Sequence, residues 1–172
     1  MVGTLISAEE YLHTSYRPDC DYVDGEVLER NFGERSHSVT QFEVAFFFRT
    51  HRDDWKTHAF IEQRVQVNPT RFRIPDICVY LGGEPQEQVF RTPPFLCIEI
   101  LSPEDRMDRI QDRIDDYLTF DVPYVWVVNP RSRRAWIYTK DEIREVKDGL
   151  LRTENPALTI PLAEIFAALD AK

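Results

Sequence analysis

Two acids in this chain stand where acids are costly. Asp76 interrupts the apolar run FRIPDICVYL (residues 72–81), lying between Ile74 and Cys78 on one strand face by the two-residue period. Glu99 interrupts FLCIEIL (residues 95–101) in the same way, between Cys97 and Leu101. An ionised carboxylate buried without a partner costs several kcal/mol, about enough to demand a compensating cation. Two of the seventeen arginines could supply it as plain structural salt bridges. Two such acids on consecutive strands, each near a proline-containing turn, favour a shared divalent ion instead. Hard cations such as Mg²⁺ prefer carboxylate oxygens and keep water in open positions.

A basic stripe follows. Arg106, Arg109 and Arg113 are spaced i, i+3, i+7 and share a helix face. Asp105, Asp108 and Asp112 account for Arg106 and Arg109 as a solvated face, while Arg113 flanks the apolar stripe and could point back to the carboxylates. Glu26, just past a hairpin turn, is a further acid that taken alone reads as an exposed strand residue. His37 at the start of a helix, and Gln63, read alone as surface residues. Other chemistries lack their motifs. There is no Gly-x-Ser-x-Gly elbow and no glycine-rich phosphate loop, and the chain has only six glycines. The four histidines contain no H-x-x-x-H pair.

The elements that would position these residues are legible in outline. Ser7 with Glu10 is a capping-box signal for a helix over Ala8–His13. Asp24-Gly25 is a favoured turn for a β-hairpin over 22–30. Ser36 or Ser38 would cap a helix running to about Trp55, with Phe46, Phe47 and Phe48 buried on a broad face. Single strands are expected over 59–67 and 72–81, with Pro75 marking an edge, end or bulge. The segment 95–101 reads as a central strand covered on both faces. Ser102 as N-cap and Pro103 at the first turn would open a helix reaching Phe120. Strands at 125–128 and 135–138, a weak one near 143–146 and a short helix at 162–169 complete the order. This predicts a mixed α/β sheet flanked by helices, one domain spanning 1–172.

Composition bounds the function. A net charge of -9 with a pI near 4.9 excludes a histone-like coat on nucleic acid. No uncharged run exceeds nine residues, so no membrane span of about 20 residues is expected. The N-terminal sequence does not read as a signal peptide. Three cysteines, Cys20, Cys78 and Cys97, fit no disulfide framework, and a cytoplasmic setting is expected.

Several motifs in order resemble the Uma-type restriction endonuclease family, a bacterial branch of the PD-(D/E)XK nuclease superfamily. They are DGE (24–26), His37, RIPD (73–76), EILSPEDR (99–106), DDYL (115–118) and VPYVWVVNP (122–130). The resemblance implies a restriction-endonuclease-like core with an N-terminal β-hairpin and a metal-dependent DNA endonuclease activity. It implies Asp76 and Glu99 as metal-binding acids, Glu26 as a further metal or water ligand, and the Ile100 carbonyl completing the coordination of Mg²⁺ or Mn²⁺. The position two after Glu99 is Leu101 rather than lysine. In this family the lysine lies on the next helix, four residues before the tyrosine that matches Tyr117, and here that position is Arg113. Arginine can neutralise phosphate but is a poor general base. The alternative reading is a nuclease-fold module that binds nucleic acid or a protein partner without cutting, and a third is a scaffold whose two acids are salt-bridged. Engagement of DNA is expected to be weak and metal-dependent. A homodimer is expected by analogy with the superfamily, through Phe46 to Phe48 or the C-terminal helix.

Overall fold

A computed structural model describes residues 5–31 and 33–170. Helix α1 (Ala8–His13) starts at Ser7, whose Oγ accepts the Glu10 backbone N–H at 3.0 Å, as the capping signal requires. Strands β1 (Cys20–Val23) and β2 (Glu26–Glu29) form the expected hairpin. Asp24 and Gly25 both take positive φ, 50° and 101°, the backbone of a two-residue turn matched to strand twist. Then come α2 (Arg35–Thr50), the short α3 (Arg52–Trp55), β3 (Thr57–Ile61), β4 (Val65–Asn68), β5 (Arg71–Arg73), β6 (Ile77–Leu81) and β7 (Leu96–Ile100). Helix α4 (Met107–Thr119) leads to β8 (Tyr124–Asn129), β9 (Arg134–Tyr138), β10 (Ile143–Glu145), β11 (Leu150–Arg152), β12 (Thr159–Pro161) and α5 (Leu162–Asp170).

The strands form a six-stranded mixed sheet ordered β10-β9-β8-β7-β6-β3, a four-stranded sheet ordered β2-β1-β5-β4, and the β11-β12 hairpin. In the large sheet only β7 and β8 run parallel, joined through α4. One face buries Ile77, Val79, Ile98 and Trp126 with Val44 and Phe48 of α2 and Ile165 and Phe166 of α5. The other buries Cys78, Cys97, Val125 and Val127 with Ile110, Ile114 and Tyr117 of α4. Helix α1 covers the small sheet with Tyr11 against Tyr22 and Phe72. Among the described residues no helix is long and apolar enough to cross a membrane.

Several expectations need correction, among them the Ser36 or Ser38 cap, since α2 starts at Arg35 behind Glu34 and both serines lie inside the helix. The single strands over 59–67 and 72–81 are each two strands, because the chain twice passes from one sheet to the other. The first break is at Glu62, with φ 50°, and the second is at Ile74-Pro75-Asp76, where proline cannot donate to a ladder. Helix α4 begins at Met107, not after Ser102, since the Asp105 carboxylate folds back to accept the Ser102 N–H at 2.6 Å and forms a separate turn. Phe46, Phe47 and Phe48 do not share a buried face: Phe48 is core, Phe47 half-buried and Phe46 exposed. The helix expected to reach Trp55 is interrupted at His51, and the β11-β12 hairpin was not foreseen.

Candidate active site

The second crossing between sheets delivers Asp76. Ile77 pairs with Ile98 across β6 and β7, so Asp76 and Glu99 are the next residues outward, side by side at one end of the sheet. Both are almost wholly buried, at 2% and 1% exposure. Asp76 Oδ2 accepts the Ile100 N–H at 2.6 Å, so a residue just beyond one strand is tied to the last residue of the next. The other Asp76 oxygen is met by the guanidinium of Arg30, and His37 Nε2 lies 3.3 Å from Oδ2. Gln41 of α2 donates to the Asp76 carbonyl at 3.0 Å. Glu99 accepts Arg113 Nη1 at 3.0 Å and the Tyr117 hydroxyl at 2.7 Å. These donors come from α4, whose buried stripe turns Ile114 and Tyr117 inward and so carries Arg113 to the sheet.

A deeper ion-pair network holds Arg113 in turn. Its Nε donates to Asp21 Oδ2 at 3.1 Å, and Arg73 Nη1 reaches that same oxygen at 2.9 Å. Arg73 also donates to Asp116 at 2.7 Å, and Arg71 joins Asp116 to Asp24. Acids and guanidiniums therefore alternate from the hairpin to α4.

The two central acids are driven in opposite directions. Burial raises Asp76, but the His37 hydrogen bond and the Arg30 charge outweigh it, and the net shift is downward. Burial pushes Glu99 up to about 7 despite Arg113, with the nearby Asp76 charge adding to the rise. Burial lowers His37, yet its bond to Asp76 leaves its pKa raised. Asp76 is thus the settled anion, while burial and the Asp76 charge hold Glu99 near its protonation midpoint at neutral pH despite Arg113.

A cavity of about 230 Å³ opens over Asp76, lined also by Arg30, His37, Gln41, Ile100 and Arg113 among others, while Glu99 is hydrogen-bonded to the lining residue Arg113. The structure thus brings together Asp76, Glu99, Ile100, Arg113, His37 and Tyr117. It does not bring Glu26, which sits exposed beside the hairpin turn, whereas Arg30 at the far end of that hairpin reaches Asp76. Gln63 is also elsewhere, donating to the Arg64 and Gln88 carbonyls. Arg106 pairs with Asp108 on the surface. The reading missed Arg30, Asp21, Arg73, Asp116 and Gln41. Asp21 stands between the apolar residues Cys20 and Tyr22, but Asp19 shares its strand face and weakens the signal that marks Asp76; Arg71 and Arg73 share a strand face by the two-residue period.

Arginine nitrogens stand on both carboxylates, as a salt-bridged scaffold would have them, but the cavity leaves room beside Asp76. Among the described residues no cluster of three His, Cys, Asp or Glu side chains is sized for a metal. Two carboxylates with water are nonetheless the kind of set that holds Mg²⁺, which takes one or two carboxylates and stays hydrated. A carboxylate offers about four lone-pair sites, so both acids retain accepting capacity beside their present partners. The donor chemistry fits such an ion, and Arg30 and Arg113 are its competitors.

Tyr117 tests how Glu99 is held. Tyr117→Phe removes one hydrogen bond to a buried carboxylate and is expected to cost about 1–3 kcal/mol, read by urea denaturation.

The family model described as "Uma2: Putative restriction endonuclease" matches residues 8–169. A crystal structure described as that of a "putative nuclease" from Anabaena variabilis superposes with a TM-score of 0.83 at 21% identity, covering 95% of this chain and 99% of that one. That likeness establishes the fold. No curated protein matches the chain.

Proposed function

The chain belongs to the Uma2 restriction endonuclease family, and from that premise we propose that it is a metal-dependent endonuclease hydrolysing phosphodiester bonds of DNA. The observation that carries the reading is the pair Asp76 and Glu99, adjacent on neighbouring strands and buried, with Asp76 lining a cavity whose wall also carries Arg30 and Arg113. Asp76 and Glu99 would hold Mg²⁺ or Mn²⁺, with the Ile100 carbonyl as a further oxygen. Bound there, the ion would lower the pKa of a water and stabilise charge on the phosphoryl group.

The protein's own groups divide the remaining work. In hydrolysis a water oxygen bonds to phosphorus while one ester oxygen leaves and takes up a proton. Arg30 and Arg113 present positive charge where the phosphate would lie, which is electrostatic stabilisation by preorganised donors. Arg113 is held by Asp21 and Glu99 together and cannot readily give up a proton, so it acts as a fixed charge. His37 holds a proton at Nε2 against Asp76 and keeps that carboxylate ionised. Tyr117 orients Glu99 from beneath.

A second reading, a nuclease fold that binds without cutting, is favoured by the two arginines already seated on the acids. Calorimetric titration with Mn²⁺ separates the two. The endonuclease reading expects binding by the wild type that Glu99→Gln weakens by about tenfold or more. Binding that is absent, or indifferent to Glu99, supports the second reading. Cleavage itself is read by nicking of supercoiled plasmid with Mg²⁺ or Mn²⁺ and its loss in chelator.

A further inference from the structure

The guanidiniums around the two central acids are not held alike. Arg113 is tied to Asp21 and Glu99, and Arg73 to Asp21 and Asp116. Arg30, its side chain only 11% exposed, has one hydrogen-bond partner among the described residues, Oδ1 of Asp76. A guanidinium has five N–H donors, so most of its donor capacity is unused. Arg30 also stands one residue past the end of β2, outside the strand ladder. The oxygens of Asp76 divide in the same way. Oδ2 accepts the Ile100 N–H at 2.6 Å and lies 3.3 Å from His37, whereas Oδ1 meets Arg30 alone. An ion arriving at Asp76 therefore finds its open acceptor where Arg30 already sits. Two cations on one carboxylate oxygen repel each other, and a buried site screens that repulsion poorly.

We propose that Arg30 is an exchangeable counter-cation: it holds Oδ1 of Asp76, gives that oxygen up to a divalent ion, and then turns to the substrate phosphate. This part for Arg30 rests on the metal-dependent endonuclease reading of Asp76. It separates two arginines that line the same cavity. Arg113 stays fixed between two acids, and Arg30 moves. While Arg30 holds Oδ1, Asp76 is not a buried charge short of a partner. The cavity gives the side chain room to leave, and its wall also carries Asp19, Glu62 and Asp105. A guanidinium that leaves Asp76 thus stays among acids until a phosphate draws it. Ion and arginine compete for one oxygen, while phosphate and that oxygen compete for the arginine. An anion in the cavity therefore favours the ion, and by linkage the ion favours the anion equally.

Calorimetric titration of the full chain with Mn²⁺, without DNA, tests the exchange. Arg30→Gln keeps an N–H donor near Asp76 and removes the competing charge. It is expected to bind Mn²⁺ about tenfold more tightly than the wild type, as for a site freed from a competitor that closed it about nine-tenths of the time. Arg109→Gln removes the same charge from an exposed position on α4 that does not line this cavity, and should change affinity by less than about twofold. Sulfate, a phosphate stand-in, is expected to tighten Mn²⁺ binding more in the wild type than in Arg30→Gln. Arg30→Gln binding no tighter than the wild type, a gain matched by Arg109→Gln, or an equal sulfate effect in both overturns the exchange. Thermal melting without metal shows that each variant is folded. Should Arg30→Gln not fold, NMR of the wild type decides. Its Arg30 Nε–H resonance, assigned by its absence in Arg30→Lys, is expected to move when Mg²⁺ is added, and a fixed resonance overturns the exchange. Tighter Mn²⁺ binding by Arg30→Gln with no plasmid nicking by the wild type would leave the exchange and remove the nuclease reading. Nicking with Mn²⁺ binding indifferent to Arg30 would do the reverse, and no Mn²⁺ binding by either protein would remove both.

Discussion

Asp76→Asn is expected to lower metal-dependent plasmid nicking by on the order of a thousandfold, the scale of losing a principal transition-state stabiliser. Asparagine keeps the side-chain shape and one acceptor oxygen, but it lacks the charge that would draw a divalent ion. The choice of asparagine over alanine matters because Asp76 has three partners, Arg30, His37 and the Ile100 N–H. Alanine would leave a buried guanidinium and a buried amide unpaired, and inactivity could then mean unfolding. Thermal melting and circular dichroism accompany the assay, and a folded, inactive Asp76→Asn is the expected outcome. A folded variant that nicks at the wild-type rate would remove Asp76 from the chemistry.

The largest effect on stability is expected at Arg73. Its guanidinium is nearly sealed from solvent and binds Asp21 and Asp116 together. Arg73→Met conserves much of the volume and apolar stem but leaves two buried carboxylates short of a partner. Breaking a buried pair from one side costs about 3–5 kcal/mol, which would consume a large part of a domain's stability. Urea denaturation reads it as a lower midpoint with an unchanged slope. Arg133→Ala is the contrast, because the Arg133–Asp170 pair stands in solvent and its loss should leave the midpoint where it was. Equal midpoints for Arg73→Met and wild type would mean that the network contributes nothing net.

How far the sequence announces all this depends on the range over which each signal acts. The Asp24-Gly25 turn and the Ser7 cap are decided by neighbours a few residues away, and both stand as read. Asp76 and Glu99 were legible because a charge within an apolar strand is improbable without a partner, wherever that partner lies. The identity of the partner was not legible. Arg30 reaches Asp76 from 46 residues away, through a hairpin whose packing on the rest no local pattern specifies. Glu26 was placed by motif order, yet a hairpin of this length separates its two ends, and the end that meets the cavity carries Arg30. The strand crossings at Glu62 and Pro75-Asp76 were hidden for a related reason. Alternation continues through a crossing, so two strands in different sheets read as one.

The ion-pair network that anchors Arg113 has a temporal side. The Asp21–Arg113 contact joins residues 92 apart, Arg30–Asp76 joins residues 46 apart, and the parallel β7–β8 pairing waits for α4 to form. Contacts of such separation must first meet the entropy of closing long loops, and they form late in folding. On the ribosome, Asp21, Arg30 and Asp76 therefore emerge well before Arg113 can join them. The cavity has no complete precursor in a nascent chain that ends before α4, so the candidate site assembles only once that helix has emerged.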